Sequence, residues 1–279
     1  MAETSTRSTP PLGAAADGLS PRARIWLLAV ASMDVLLVIS SMVALNAALP
    51  DIAVQTSASQ SQLTWIVDGY TLALACLLLP AGAVGDRYGR RGALLLGMAV
   101  FLVASLAPTV LDSPTQIIIA RAAAGVGAAF IMPATLSLLT AAFPKAERSR
   151  AVGIWAGVAG SGAIIGFLGT GLLLEFFGWQ SIFYALAGAA LVMLVLTGTI
   201  GSSRDESATP IDWLGASLIG VAIAVLVLGV VEAPAPWISE APVPGGATEA
   251  PAPAHFKPDT SEYTLTIDGR VIEAWKFAG

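Results

Sequence analysis

The sequence predicts an all-α integral membrane protein, and three observations carry that prediction. Of 279 residues, 56% are hydrophobic and only 12% are charged, with a mean hydropathy of +0.77; a soluble domain carries about 25% charged residues. The apolar residues gather in seven stretches, at about 25–49, 63–85, 93–111, 116–143, 152–176, 181–201 and 211–232. Each approaches the roughly 20 residues that a bilayer-crossing helix needs. Between the stretches, basic residues occur only in alternate connections.

Composition also excludes whole classes. A water-facing surface cannot be built from so few charges. A net charge of -5 with no long basic run argues against a nucleic-acid partner, and the single cysteine, Cys76, argues against a disulfide scaffold. Strands of alternating polarity, the mark of a membrane β-barrel, are missing from the pattern. The chain has no H-E-x-x-H, no phosphate-binding loop and no paired cysteines. Gly160-Ser-Gly162 lacks both the spacing and the preceding strand of a dinucleotide loop. The expectation is therefore not an enzyme, with no metal and no cofactor.

Residues 1–24 are polar, with Arg7, Arg22 and Arg24, and lack a signal-peptide layout. Short connections between spans require helical hairpins over 25–201, followed by a linker and seventh span over 202–232. Arg87, Arg90 and Arg91 follow the second span, Lys145, Arg148 and Arg150 the fourth, and Arg204 the sixth; the other connections have no basic residue. Basic loops stay cytoplasmic, so the N-terminus is expected inside and everything after Glu232 outside. Residues 233–279 change character. A Pro- and Ala-rich stretch with Gly245-Gly246 reads as an extended linker. Tyr263–Ile267 and Val271–Trp275 around Asp268-Gly269 read as a β-hairpin. Two strands alone are marginal in water. The lone histidine, His255, lies in this tail and is expected to be solvated.

Charged groups inside lipid cost roughly 2.5–3.5 kcal/mol at mid-bilayer and mark function. Three stand out: Asp34 in the first span, Asp68 in the second and Arg121 in the fourth. At about 1.5 Å per residue, Asp34 lies roughly 14 Å from the cytoplasmic start, near the midplane. By the same rise Asp68 and Arg121 each lie roughly 8 Å below the outer surface. Arg121 can bend toward Asp34 or pair at its own level with Asp68 in a structural ion pair. Asp34 reads as a proton carrier, because no lysine or arginine shares its depth without snorkelling. Asn46, the one asparagine, is expected to bond a neighbouring helix, with substrate contact as its other reading. The fifth span carries Gly153, Gly157, Gly160, Gly162, Gly166, Gly169 and Gly171. Gly153-xxx-Gly157 and Gly162-xxx-Gly166 fit close helix–helix contacts.

At this point the motifs carry a resemblance. Gly82-Ala-Val-Gly-Asp86-Arg87-Tyr88-Gly89-Arg90-Arg91 resembles the G-x-x-x-D-R-x-G-R-R/K loop between the second and third helices of the major facilitator superfamily. Asp34 through Ala44-Leu-Asn46-Ala-Ala-Leu-Pro50 resembles the first-helix motif of its fourteen-helix drug:proton antiporters. Trp65-Ile-Val-Asp68-Gly-Tyr70 is similar to their second-helix opening, and Arg121-x-x-x-Gly125-x-Gly127 to their fourth-helix arginine motif. The fifth span departs from the antiporter pattern G-x-x-x-G-P-x-x-G-G: Phe167 follows Gly166 where proline is expected, and Thr170-Gly171 stands for two glycines. Trp213-Leu-Gly215 through Gly229-Val-Val-Glu232 resembles the extra helix these proteins insert after the first six.

The resemblance implies a six-helix half bundle plus a seventh spanning helix, the N-terminal half of a proton-driven exporter in the cell (inner or plasma) membrane. It implies that Asp34 and Arg121, with Asp68, couple protons to transport, the proton gradient being the energy source. Asp86, Arg87, Arg90 and Arg91, between Gly82 and Gly89, would latch the cytoplasmic side. Asn46, Gly125, Gly127, Gly157, Gly162, Gly166 and Gly171 would serve helix packing and gating. The implied partners are the lipid bilayer, a small-molecule, drug-like substrate and a second half-transporter or homodimer, since such transporters hold substrate between two six-helix halves. Nothing after residue 232 has the length and apolarity to cross a bilayer, so a truncated or shifted reading frame is expected. The rival expectation is a non-transporting membrane fragment or scaffold that keeps the helices.

Overall fold

A computed structural model of the chain describes residues 19–111, 113–201, 213–231, 264–267 and 270–273. Most of the polar N-terminal segment, the linker 202–212, the Pro/Ala-rich stretch with His255 and the Asp268-Gly269 turn lie outside these residues. Contacts divide the chain into two units, Met1–Ala233 and Pro234–Gly279.

In the first unit, α1 (Pro21–Ala44) starts with Ser20, whose hydroxyl accepts from the Ala23 N–H at 3.3 Å, and with Pro21 in the first turn. The first membrane-capable segment, read as 25–49, runs over Pro21–Thr56 but is not one unbroken α-helix. Instead the chain tightens into a 3-10 turn over Leu45–Ala48 and restarts as α2 (Leu49–Thr56), with Pro50 in its first turn. Proline has no N–H to donate and is tolerated there. Ser57, at φ 53°, ends α2. A capping box opens α3 (Gln60–Tyr88): the Gln62 N–H donates to Ser59 Oγ at 3.3 Å and the Ser59 N–H to Gln62 Oε1 at 2.9 Å.

The expected loop at 82–91 is a correction. Helix α3 runs through Gly82, Asp86 and Arg87 to Tyr88, and α4 (Arg90–Leu106) begins two residues later. The junction is Gly89 alone, at φ 121°, a conformation side chains rarely adopt. Next come α5 (Pro114–Ala142) and α6 (Lys145–Phe176), then α7 (Gln180–Thr197) and α8 (Trp213–Val231). Lys145, Arg148 and Arg150, read as loop residues, lie in the first turns of α6.

Six segments among the described residues are long and apolar enough to cross a membrane: Pro21–Thr56, Gln60–Tyr88, Arg90–Thr109, Pro114–Ala142, Lys145–Phe176 and Gln180–Thr197. Helix α8, read as a seventh span, is an apolar helix of 19 residues in the described part of the chain. Helix α5 lies at the centre of the packing, against α3, α4 and α1, while α1 also packs on α6 and α4 on α7. Helix α8 packs on α3, where a Cβ on Gly220 would come within 2.8 Å of the Cys76 carbonyl oxygen.

In the second unit, β1 (Thr264–Ile267) and β2 (Arg270–Glu273) pair antiparallel, with Thr264 opposite Glu273 and Ile267 opposite Arg270. The fold class is helical in the membrane-capable unit, with this one ribbon outside it.

Candidate functional site

Arg121 sits in α5 with its side chain wholly inside the bundle, 2% exposed. Neither sequence-based partner holds it. Nε donates to the Ile66 carbonyl at 3.3 Å, Nη1 to Ser41 Oγ at 3.0 Å and Nη2 to the Ser41 carbonyl at 3.1 Å. The guanidinium carbon lies 4.3 Å from the centre of the Tyr70 ring. Tyr70 is fully buried and donates its hydroxyl to the Val38 carbonyl at 2.9 Å. Arg121 therefore ties α1, α3 and α5 together through carbonyls and a π-face. Its planar fork and aromatic stacking suit those partners better than a lysine would. The proposed pairings with Asp34 and Asp68 are both corrected.

Asp34 is completely buried in α1. Oδ2 accepts from Thr197 Oγ1 of α7 at 3.3 Å, and Oδ1 has no hydrogen-bond partner. Among the described residues no cation pairs with it; the ion pair found there is Arg90 Nε to Asp86 Oδ1 at 2.8 Å. A buried carboxyl group with one hydroxyl partner and one unpartnered oxygen carries a desolvation cost that apolar packing alone does not explain.

Asp68 stands apart, in the lining of a cavity of about 640 Å³ between the Leu45–Ala48 turn, α2 and the start of α3. Asn46, Gln60 and Thr64 share that lining. The Asn46 amide was expected to bond a neighbouring helix. It is exposed and donates to the Val43 carbonyl of its own helix at 3.0 Å. The sequence thus marked three buried charges, and the structure separates them: one inside the α1–α7 contact, one inside the α1–α3–α5 contact, one on a cavity wall.

The arginines of the Gly82–Arg91 segment divide by contact. Arg90 closes on Asp86, Arg91 donates to the Gly198 carbonyl at the end of α7, and the Arg87 guanidinium carbon lies 5.8 Å from the Tyr88 ring centre. Gly82 faces Pro133 of α5, where a Cβ would meet the Pro133 Cβ at 3.3 Å.

The glycines also divide. A Cβ on Gly125 would overlap the Tyr70 carbonyl, and one on Gly127 would lie 2.6 Å from the Gly97 carbonyl oxygen. On α6, Gly162 and Gly166 abut α1, with a Cβ meeting the Leu36 and Ser40 carbonyl oxygens at 2.9 and 2.6 Å. Ser40 Oγ donates to the Gly162 carbonyl at 2.8 Å. At Gly153, Gly157 and Gly171 nothing among the described residues lies within 4 Å of a Cβ. That face of α6 is open.

Sequence reading missed Ser41, Tyr70 as a partner of Arg121, and Thr197. Ser40-Ser41 within an apolar helix was the available signal, since a polar pair in such a setting needs a partner. Thr197 carried none.

The Major Facilitator Superfamily family model matches residues 35–239. The chain is 35% identical over 215 residues to the multidrug resistance protein Stp of Mycobacterium tuberculosis (strain CDC 1551 / Oshkosh), covering 76% of this chain and 40% of that protein. It is 36% identical over 222 residues to the tetracenomycin C resistance and export protein of Streptomyces glaucescens, covering 79% and 41%. It is 40% identical over 192 residues to the multidrug efflux pump LfrA of Mycolicibacterium smegmatis, covering 68% and 38%. The chain thus spans about 40% of the length of these curated relatives. A crystal structure of the peptide transporter POT (E310Q mutant, with sulfate) shares the fold, with a TM-score of 0.58 at 16% identity, over 78% of this chain and 47% of that one. The family model matches well over half of the chain and the relatives are 35%, 36% and 40% identical to it, so this multi-pass membrane chain belongs to the Major Facilitator Superfamily.

Proposed function

We propose that the chain forms the N-terminal half of a proton-coupled exporter of small, drug-like compounds. The observation that carries this reading is Asp34, a fully buried carboxyl group with one hydroxyl partner and no paired cation among the described residues. Such a group gains and loses a proton at high energetic leverage. The names of the relatives, which describe resistance and efflux, supply the substrate class. Arg121 acts as the fixed positive charge beside the transport path, and Asp68 as a carboxylate open to a cationic substrate from the cavity it lines.

The same reading places the chain in the cell membrane, with the N-terminus and the arginine-bearing ends of α3 and α4 in the cytoplasm and the tail outside. The proton gradient is the energy source, and no cofactor takes part. The open face of α6, with Gly153, Gly157 and Gly171 free of neighbours, would receive a second six-helix half or a second copy.

The test is proton-driven uptake of the fluorescent cation ethidium into everted vesicles. The chain is expressed alone, and with the C-terminal half of the Stp protein. Asp34→Asn should abolish the uptake that an imposed pH gradient drives. Uptake that persists in Asp34→Asn overturns the coupling role, and absence of uptake in every pairing favours a non-transporting helical scaffold.

A further inference from the structure

Three consecutive residues at the end of α7 take up contacts from two other helices. Thr197 Oγ1 donates to Asp34 Oδ2 at 3.3 Å, and both residues are fully buried. The Gly198 carbonyl accepts from the Arg91 guanidinium at the start of α4. Thr199 Oγ1 accepts from the Trp26 indole of α1 at 2.9 Å, while its own proton goes to the Leu196 carbonyl at 2.7 Å. The last carbonyls of a helix have no intrahelical donor, and a cation beside them meets the negative end of the helix dipole. Arg91 fills that role for Gly198.

We propose that this turn, residues 197–200, is the joint through which the charge on Asp34 sets the position of the Arg90–Arg91 end of α4, with Thr197 as the positioning residue. Thr197 provides the one hydrogen bond to the Asp34 carboxyl among the described residues, since Oδ1 has no partner. A carboxylate accepts a charge-assisted bond, roughly twice as strong as the bond a neutral acid accepts. Neutralising Asp34 therefore slackens Thr197. Gly198 is the next residue, so its carbonyl moves with that side chain's backbone, and the Arg91 bond to it weakens as distance and angle leave their optimum.

Among the described residues no other charge competes for Asp34. Of the elements packed against α1, α5 carries Arg121, which is spent on Ser41 and Ile66. Helix α6 carries Lys145, Glu147, Arg148, Arg150 and Glu175, α3 carries Asp68, Asp86 and Arg87, and α7 carries no charged residue. Arg22 and Arg24 lie at the start of α1 itself. Among the described residues none of them forms an ion pair with Asp34.

The inference takes its purpose from the reading of Asp34 as the proton-carrying group, but its test needs no transport. Amide hydrogen exchange is followed by mass spectrometry on the full chain in lipid nanodiscs, at residues 198–201 and 90–94. Asp34→Asn, a neutral mimic, should speed exchange in both segments by about threefold to tenfold, the scale of one hydrogen bond. Thr197→Val should do the same, Thr197→Ser should restore the wild-type rate, and the double variant Asp34→Asn/Thr197→Val should add nothing beyond either single change. Faster exchange confined to 198–201 overturns the joint, as does a Thr197→Ser variant that behaves like Thr197→Val. If proton-driven uptake survives Asp34→Asn while the exchange pattern holds, the proton-carrying role fails and the joint stands.

Discussion

Gly97 of α4 and Gly127 of α5 approach so closely that neither position has room for one carbon atom: a Cβ on Gly97 would lie 2.7 Å from the Gly127 carbonyl oxygen, and one on Gly127 would lie 2.6 Å from the Gly97 carbonyl oxygen. The neighbours are backbone atoms, which cannot turn aside as a side chain can. In lipid, helices associate through van der Waals fit rather than through exclusion of water. Close backbone approach is therefore what holds α4 to the central helix. Gly127→Ala should push the helices apart and cost about 1–3 kcal/mol, the usual penalty for overpacking. Gly157→Ala, with nothing within 4 Å, should be neutral or gain up to about 1 kcal/mol from helix propensity. Thermal denaturation of the two variants in detergent checks the contrast.

Arg121 is held by its shape as much as by its charge. Three nitrogens reach three separate oxygens, and the flat face rests on Tyr70. Arg121→Lys keeps the charge but cannot span Ser41 and Ile66 together. It should lower stability by about 2–3 kcal/mol, the scale of lost hydrogen bonds to a charged group. Tyr70→Phe keeps the ring and loses the hydroxyl, with its bond to the Val38 carbonyl and its contact with Ser41; its cost should be about 1 kcal/mol. Tyr70→Leu should cost more than Tyr70→Phe. Melting curves of the three variants in one detergent give the order.

How far these sites were legible in the sequence depends on what kind of partner each residue has. Asp34, Asp68 and Arg121 stood out because charge is rare in apolar helices. In the fourth-span pattern Arg121-x-x-x-Gly125-x-Gly127 the two glycines lie where a Cβ would meet the Tyr70 and Gly97 carbonyls. The partners of Arg121 were not legible: two of its three acceptors are main-chain carbonyls, which every residue owns. The seven glycines of α6 look alike in sequence, yet only the face bearing Gly162 and Gly166 meets α1. An apolar helix in lipid has no polar side to fix its rotation, so periodicity could not choose that face. The junction at Gly89 was blurred for another reason. Its charges suggested a solvated loop, whereas a single glycine at φ 121° turns the chain between two helices.

Asp86 and Arg90 lie one turn apart in sequence across that junction, and their contact is partly exposed, with Asp86 at 46% and Arg90 at 17%. Such pairs contribute about 0–1 kcal/mol and weaken in salt. Asp86→Asn should therefore shift the melting temperature by no more than a few degrees, with the difference shrinking at high ionic strength. If the same variant abolishes uptake into vesicles, its effect arises in gating and not in folding; melting curves at two salt concentrations beside the uptake assay separate the two.

The cavity at Asp68 predicts an asymmetry in chemical access. Asp68 lines an open cavity of about 640 Å³ with three other polar residues, Asn46, Gln60 and Thr64, so water reaches its side chain. Asp34 has no exposed surface at all. In a background where the single cysteine is removed, Cys76→Ser, a thiol at position 68 should react with a membrane-impermeant maleimide, whereas one at position 34 should stay unlabelled until the protein is denatured. Sidedness follows from the helix ends: α3 starts eight residues before Asp68 and finishes at the arginine-bearing end. Labelling of Asp68→Cys should therefore come from the face opposite Arg87, Arg90 and Arg91. A control thiol at Arg87, which lies in the last turn of α3, should react from the other face. Equal labelling of positions 68 and 34 from one side would mean that water enters between α1 and α7. The Thr197 contact would then not be the dry, specific hold on Asp34 that the geometry describes.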